Sequence, residues 1–146
     1  MDATRYSFTD DPAAMDRALI HAWLSERSYW AEGRTRAAND AAMDASLTFG
    51  VIDRLSGAQV AHARVITDGV TFAWLCDVFV LEDARGAGVG IGLMAGVTAV
   101  LEPMNLKRIG LVTADAHGLY AKFGFEPLEK PEMWMARLSA SENNQL

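Results

Sequence analysis

The chain has 146 residues, 51% of them hydrophobic and 22% charged, with one cysteine; this suits a single soluble globular domain that buries roughly 70% of its unfolded surface and needs neither a disulfide nor a metal to fold. No run approaches the ~20 apolar residues of a membrane span, and the opening Met-Asp-Ala-Thr-Arg-Tyr lacks a signal-peptide layout, so a cytoplasmic protein with no membrane partner is expected. The net charge of −6 is spread evenly over both halves; it disfavours nucleic acid, which needs clustered Lys and Arg, and suits a cationic substrate such as an amine.

In chain order, residues 12–24 set Leu19, Ile20 and Trp23 at helical spacing, with Asp11 placed to cap and Pro12 suited to the first turn. A second short helix is expected over 36–44, after a connector at 25–30 rich in aromatic and hydroxyl groups. The period then changes to two. Residues 47–54, a Ser56-Gly57 turn and residues 58–66 read as a hairpin, and Thr67-Asp68-Gly69 turns the chain into a third antiparallel strand, 70–80. Alternation along that strand puts Phe72, Trp74, Cys76, Val78 and Val80 on one face, with Thr71, Ala73, Leu75, Asp77 and Phe79 on the other. Asp77 is the odd member of its face. A helical stripe follows over 89–101, then a strand at 108–113, a helix at 115–123 started by Asp115 and stopped at Gly124, a final strand at 133–138, and a polar, frayed tail from Ser139. The order predicts an α+β fold, a mixed and mostly antiparallel sheet flanked by helices.

The chemistry concentrates in Arg85-Gly86-Ala87-Gly88-Val89-Gly90-Ile91-Gly92, where alternate glycines bare successive N–H groups just before a helix, an arrangement suited to phosphate. A nucleoside-triphosphate loop would need Lys-Ser/Thr after its last glycine, and Ile91-Gly92 stand there instead. Gly90-Ile-Gly92-Leu-Met-Ala95 matches a dinucleotide fingerprint by letter, but hairpins precede it and only about fifty residues follow, too few for further parallel βα units. A turn that merely packs a helix on a sheet is the remaining structural reading.

Arg85-Gly-Ala-Gly-Val-Gly resembles the Gln/Arg-x-x-Gly-x-Gly/Ala pyrophosphate loop of the GNAT family of N-acetyltransferases, and Leu111 through Tyr120-Ala-Lys-Phe-Gly124-Phe125 resembles that family's last core strand, helix and Tyr-x-x-x-Gly-Phe signature. The resemblance covers residues 47–138 closely and the N-terminal helices more loosely. It implies acetyl-coenzyme A as cosubstrate, without a metal, its diphosphate on the amides of Gly86 to Gly92 and its pantetheine amides along an edge bared where the strands at 70–80 and 108–113 splay apart. The backbone of Val78, Phe79, Val80, Arg85, Gly86, Ala87, Gly88, Val89, Gly90 and Ile91 is expected to hold it, with Gly88 and Gly90 the vulnerable positions. The implied activity is direct acetyl transfer to a primary amine of a small molecule, or of a protein, in a ternary complex; a coenzyme A-binding sensor without turnover and a nucleotide-dependent oxidoreductase half-domain are the rivals. A homodimer is a further expectation, since small members of that family often pair.

For the reaction, the resemblance implies Tyr120 as the proton donor to the departing thiolate, against a core tyrosine. The Val80 amide is expected to face the oxyanion. Asp77 is either the base for the amine or a structural ligand of nearby backbone. Asp115 and His117 are weaker candidates for the base: Asp115 reads first as a helix cap and His117 as a surface or loop-anchoring residue, while His62 reads as a hydrogen-bonded strand histidine beside Arg64. Ser28, Tyr29 and Trp30 are placed to wall the amine pocket and Arg64 to hold a substrate carboxylate, although Trp30 also suits the core. Trp23, Trp74 and Trp134 read as packing, and Cys76 is set aside as an acyl carrier because alternation puts it opposite Asp77.

Overall fold

A computed structural model describes residues 1–139. The sheet runs β1 (Tyr6–Thr9), β2 (Leu47–Asp53), β3 (Gln59–Thr67), β4 (Phe72–Val80) and β5 (Arg108–Gly110) in that spatial order. The first four strands are antiparallel neighbours and β5 joins β4 in parallel, as the mixed sheet was expected to do. That parallel step needs a crossover, which α3 (Val89–Leu101) provides. The central strand β3 is buried continuously over residues 59–65, because helices cover the sheet on both faces.

On one face Phe49, Val51, Ala63, Val65 and Leu75 pack against Val89, Leu93, Met94 and Val97 of α3. On the other, Ile20 and Leu24 of α1 (Arg17–Arg27) and Met43 of α2 (Arg36–Asp44) close over Phe79. Each such side chain contributes about 1.5–3 kcal/mol by leaving water. The apolar stripe of α3 faces the sheet, while a glycine row four residues apart lets the N-terminal segment approach. A methyl on Gly92 would meet Met1 Sδ at 2.6 Å, and one on Gly96 would meet the Phe8 ring at 2.3 Å.

Several expectations are corrected. Residues 12–24 are not one helix: Asp11 caps a 3₁₀ turn (Pro12–Ala14), Met15 is extended, and α1 starts afresh with Asp16 accepting from the Leu19 N–H. Strand β1 was not foreseen. The strand expected at 108–113 leaves the ladder after Gly110, and α4 (His117–Ala121) is shorter than 115–123. Residues 133–138 form no strand; a 3₁₀ turn (Pro131–Met133) precedes an exposed stretch in which Met135 is 96% accessible. A strand needs a neighbour, and among the described residues β5 pairs only with β4. The expected frayed tail lies, Ser139 apart, outside the described residues. Among those residues no helix is long and apolar enough to cross a membrane.

Candidate active site

Strands β4 and β5 pair only over Phe72↔Arg108, Ala73↔Ile109 and Trp74↔Gly110. Beyond that point β4 carries one extra residue against β3: His62 faces Phe79 while Arg64 faces Cys76. The bulge centres on Asp77, whose φ of 53° lies in the left-handed region that a non-glycine residue adopts only when its surroundings hold it there. The bulge turns β4 away from β5, and residues 75–80 keep a free edge. The Leu81 N–H donates to Val60 O at 2.8 Å, so alternation aims the Val80 N–H the other way, into the gap.

Beside this edge lies a cleft of about 570 Å³, lined by Val78, Phe79, Val80, Arg85, Gly86, Gly88, Val89, Gly90 and Ile91. The first bond within α3 runs from the Gly92 N–H to Gly88 O at 3.0 Å, so the N–H groups of Val89, Gly90 and Ile91 have no helical acceptor. Gly92 therefore drops out of the expected set of free amides, and its missing side chain makes room for Met1 instead. Gly86 (φ 81°) and Gly88 (φ 74°) hold the left-handed turns that present the loop, with Ala87 exposed between them. Arg85 and Lys122 add positive charge to the cleft wall. Orphan amides at the positive end of a thirteen-residue helix, with two cations nearby, fit a diphosphate. Arg85 Nε now donates to Val80 O at 3.1 Å, which ties the loop to the strand edge.

Tyr120 stands where the cleft meets a second, smaller cavity of about 110 Å³. It is 8% exposed, its ring sits edge-on to Phe125, and its phenol is pushed up to about 12, first by burial and then by Asp115 and Tyr29. It is a neutral hydroxyl at any physiological pH. Tyr29, Trp30, Trp74 and Cys76 help to line the smaller cavity. Burial raises the Cys76 thiol to about 11, so it is no ready nucleophile.

The expectation that Asp77 is the base is corrected by its partners. Its carboxylate accepts from Trp30 Nε1 at 3.0 Å, from Arg34 at 2.7 and 3.3 Å, and from Arg64 Nε at 2.9 Å. Those four bonds fill the lone-pair sites a carboxylate offers. Burial pushes its pKa up, but the hydrogen bonds and charges of the two guanidiniums outweigh it and hold Asp77 below the usual carboxylate range. Asp77 is an anchor, and the groups it holds are side chains, not the backbone.

Two other assignments change with it. Arg64 has no fork left for a substrate carboxylate, since Nε binds Asp77 and an Nη binds Ser46 Oγ at 3.0 Å. Ser28 turns inward, donating to Leu24 O and accepting from the Ala31 N–H, and lines neither cavity. Tyr29 and Trp30 do line both. The bulge also cancels the argument from alternation, because Cys76 and Asp77 line one cavity together. Trp23 packs as expected, stacked on Phe79 at 4.4 Å, but Trp74 is a cavity wall. Asp115 does not cap α4; Thr113 Oγ1 accepts the Ala116 N–H, leaving Asp115 exposed on the rim. His117 is exposed as expected.

His62 is wholly buried. Its Nδ1 lies 2.8 Å from the Asp77 carbonyl, which can only accept, so Nδ1 carries the hydrogen and Nε2 is a bare acceptor without a partner among the described residues. Burial lowers its pKa to about 4. Arg34 was missed altogether. The signal for it was Asp77 itself, since an acid on an apolar strand face demands a cation.

Residues 15–125 match the acetyltransferase (GNAT) family. The chain belongs to the GNAT family. A Gibberella zeae protein named as a putative acetyltransferase is 32% identical over 137 residues, 80% of this chain and 76% of that protein. The crystal structure of a Xanthomonas campestris protein described in the same terms, and as a GNAT member, is 43% identical and superposes with a TM-score of 0.86 over 92% of this chain and 93% of its own. A Mycobacterium tuberculosis protein, solved in complex with CoA, shares the GNAT fold at 15% identity, with a TM-score of 0.69 over 84% of this chain and 73% of its own.

Proposed function

We propose that this GNAT protein is an N-acetyltransferase that passes an acetyl group from acetyl-CoA to a primary amine of a small molecule by direct attack in a ternary complex. The observation that carries this reading is the place of Tyr120, a buried neutral hydroxyl at the junction of an anion-suited cleft and an aromatic-walled cavity. The CoA complex of the M. tuberculosis relative supports the choice of cosubstrate.

Bound acetyl-CoA would supply the acetyl thioester, and the residues around it divide the remaining tasks. The free amides of Val89, Gly90 and Ile91, with Arg85 and Lys122, hold the diphosphate, and the open edge at Val78 and Val80 takes the pantetheine amides. The Val80 N–H stabilises negative charge gathering on the acyl oxygen. Tyr120 gives its proton to the sulfur as the C–S bond breaks and the C–N bond forms. The amine arrives as an ammonium: one proton leaves to solvent before the attack, and the second, lost as the C–N bond forms, restores Tyr120. Asp77 contributes by fixing the bulge that aims Val80 into the gap.

The test is thiol release from acetyl-CoA across a panel of amines, run beside Tyr120→Phe. The variant keeps CoA affinity and loses at least ~10-fold in turnover, the size of an acid–base contribution. Unchanged turnover removes Tyr120 from the mechanism.

A further inference from the structure

The smaller cavity carries information about the acceptor. Its walls are aromatic: Tyr29 and Trp30 meet edge to face at 5.0 Å, with Trp74 and Tyr120 also lining it. No arginine, lysine or histidine among the described residues lines it. Arg34 and Arg64, the cations behind it, are committed to Asp77. Asp77 is more than neutralised by them, the trio keeping one net positive charge behind the wall in hydrogen bonds already made, and Cys76 is a neutral thiol. One charged side chain without an ion-pair partner among the described residues is left on the lining. Asp115 is exposed, makes no hydrogen bond or ion pair among the described residues, lies on the rim shared with the cleft, and is near enough to Tyr120 to help hold its proton.

An acceptor with a carboxylate or phosphate beside its nitrogen would bring that anion to aromatic walls and one exposed carboxylate, with no cation on the lining itself to bind it, and like charges so placed are disfavoured. An ammonium finds the opposite: a carboxylate partner and ring faces that attract cations. A volume of about 110 Å³ takes one ring or a short alkyl body at the reacting end of the acceptor.

From this juxtaposition we infer that the amine end of the acceptor is a flat or alkyl body with no anionic group beside the nitrogen, and that Asp115, with the rings of Tyr29, Trp30, Trp74 and Tyr120, selects it. The inference rests on the amine-acceptor reading above and replaces Arg64 with Asp115 as the residue that sets specificity.

Trp30 and Trp74 report occupancy directly, so the experiment is a tryptophan-fluorescence titration with phenethylamine and with phenylalanine, which differ by one carboxylate, on the wild-type chain and Asp115→Asn. Asp115 is exposed and caps nothing, so the variant keeps its melting temperature. Saturable phenethylamine binding, at least about tenfold weaker phenylalanine binding, and a loss of about tenfold in the variant are expected. Equal or tighter phenylalanine binding, an unchanged Asp115→Asn, or no saturable signal overturns the inference. Thiol release on the same ligands separates the two readings. Phenethylamine binding with this selectivity but without release sinks the transfer reading alone, whereas release that favours phenylalanine sinks this one and leaves transfer standing.

Discussion

Replacing Gly90 by alanine separates folding from ligand binding, and Gly96→Ala makes the converse change. Gly90 lies inside α3 with an ordinary backbone, and an added methyl would sit 3.8 Å from both Leu119 Cδ2 and Val80 Cγ2, normal contact distances. Stability should rise by about 0.4–1 kcal/mol as the unfolded chain loses freedom, a melting-temperature gain of about 1–4 °C for a domain of this size. Val80, Gly90 and Leu119 all line the large cleft, so the same methyl stands where CoA must approach the free amides. Affinity should fall about tenfold, close to 1.4 kcal/mol. At Gly96 the methyl would fall 2.3 Å from the Phe8 ring, far from the cleft. Overpacking of this kind costs about 1–3 kcal/mol and should leave CoA affinity untouched wherever the variant is folded. Thermal denaturation and calorimetric titration with CoA read both quantities. A Gly90→Ala protein that binds CoA like the wild type, or a folded Gly96→Ala protein that does not, would refute the division of the glycine row into a binding position and a packing position.

Asp77→Ala leaves the half-buried guanidinium of Arg34 and the buried one of Arg64 without a counter-ion, which should cost about 3–5 kcal/mol in urea unfolding; a variant that loses turnover at unchanged stability would restore Asp77 as a base. His62 titrates at about 4 when folded and near 6.5 when unfolded, so the unfolded chain binds the extra proton between those values. Stability is therefore complete above about pH 6.5 and falls by about 3 kcal/mol as pH drops toward 4. His62→Phe should flatten that part of the stability profile, and an unaltered slope would show that His62 is not its source. The Tyr120 phenol, raised to about 12, should contribute no basic limb to the pH–rate profile below pH 10; a limb lost in Tyr120→Phe would contradict its buried, neutral state.

Local features were legible in the sequence, and features set by distant pairings were not. The glycine loop reads directly because the need for bare amides and left-handed turns is written in residue type at Gly86 and Gly88. Gly92 and Gly96 look the same in a sequence, yet they serve the approach of Met1 and Phe8, which only the fold brings near. Strict alternation along β4 was the costliest assumption. The bulge shifts the faces after Asp77, so Cys76 and Asp77 share a cavity and Phe79 joins the α1 core. Its trigger was visible as an acid in an apolar strand, but its partner Arg34 stands 43 positions away. Arg64 looked free for substrate for the same reason. Strand β1 went unseen because Tyr-Ser-Phe-Thr is only four residues long and becomes a strand by pairing with β2. Residues 133–138 have strand composition, but composition supplies no neighbour.

The claim that bears the most weight is that the bared edge of β4 and the first turn of α3 together receive CoA. An amide-resolved NMR titration of the ¹⁵N-labelled chain with CoA addresses it residue by residue. The largest shift changes are expected at Val80, at Gly86 through Ile91 and around Tyr120, with β1 and β2 nearly silent. Saturable changes centred elsewhere, or a spectrum indifferent to CoA, would contradict it.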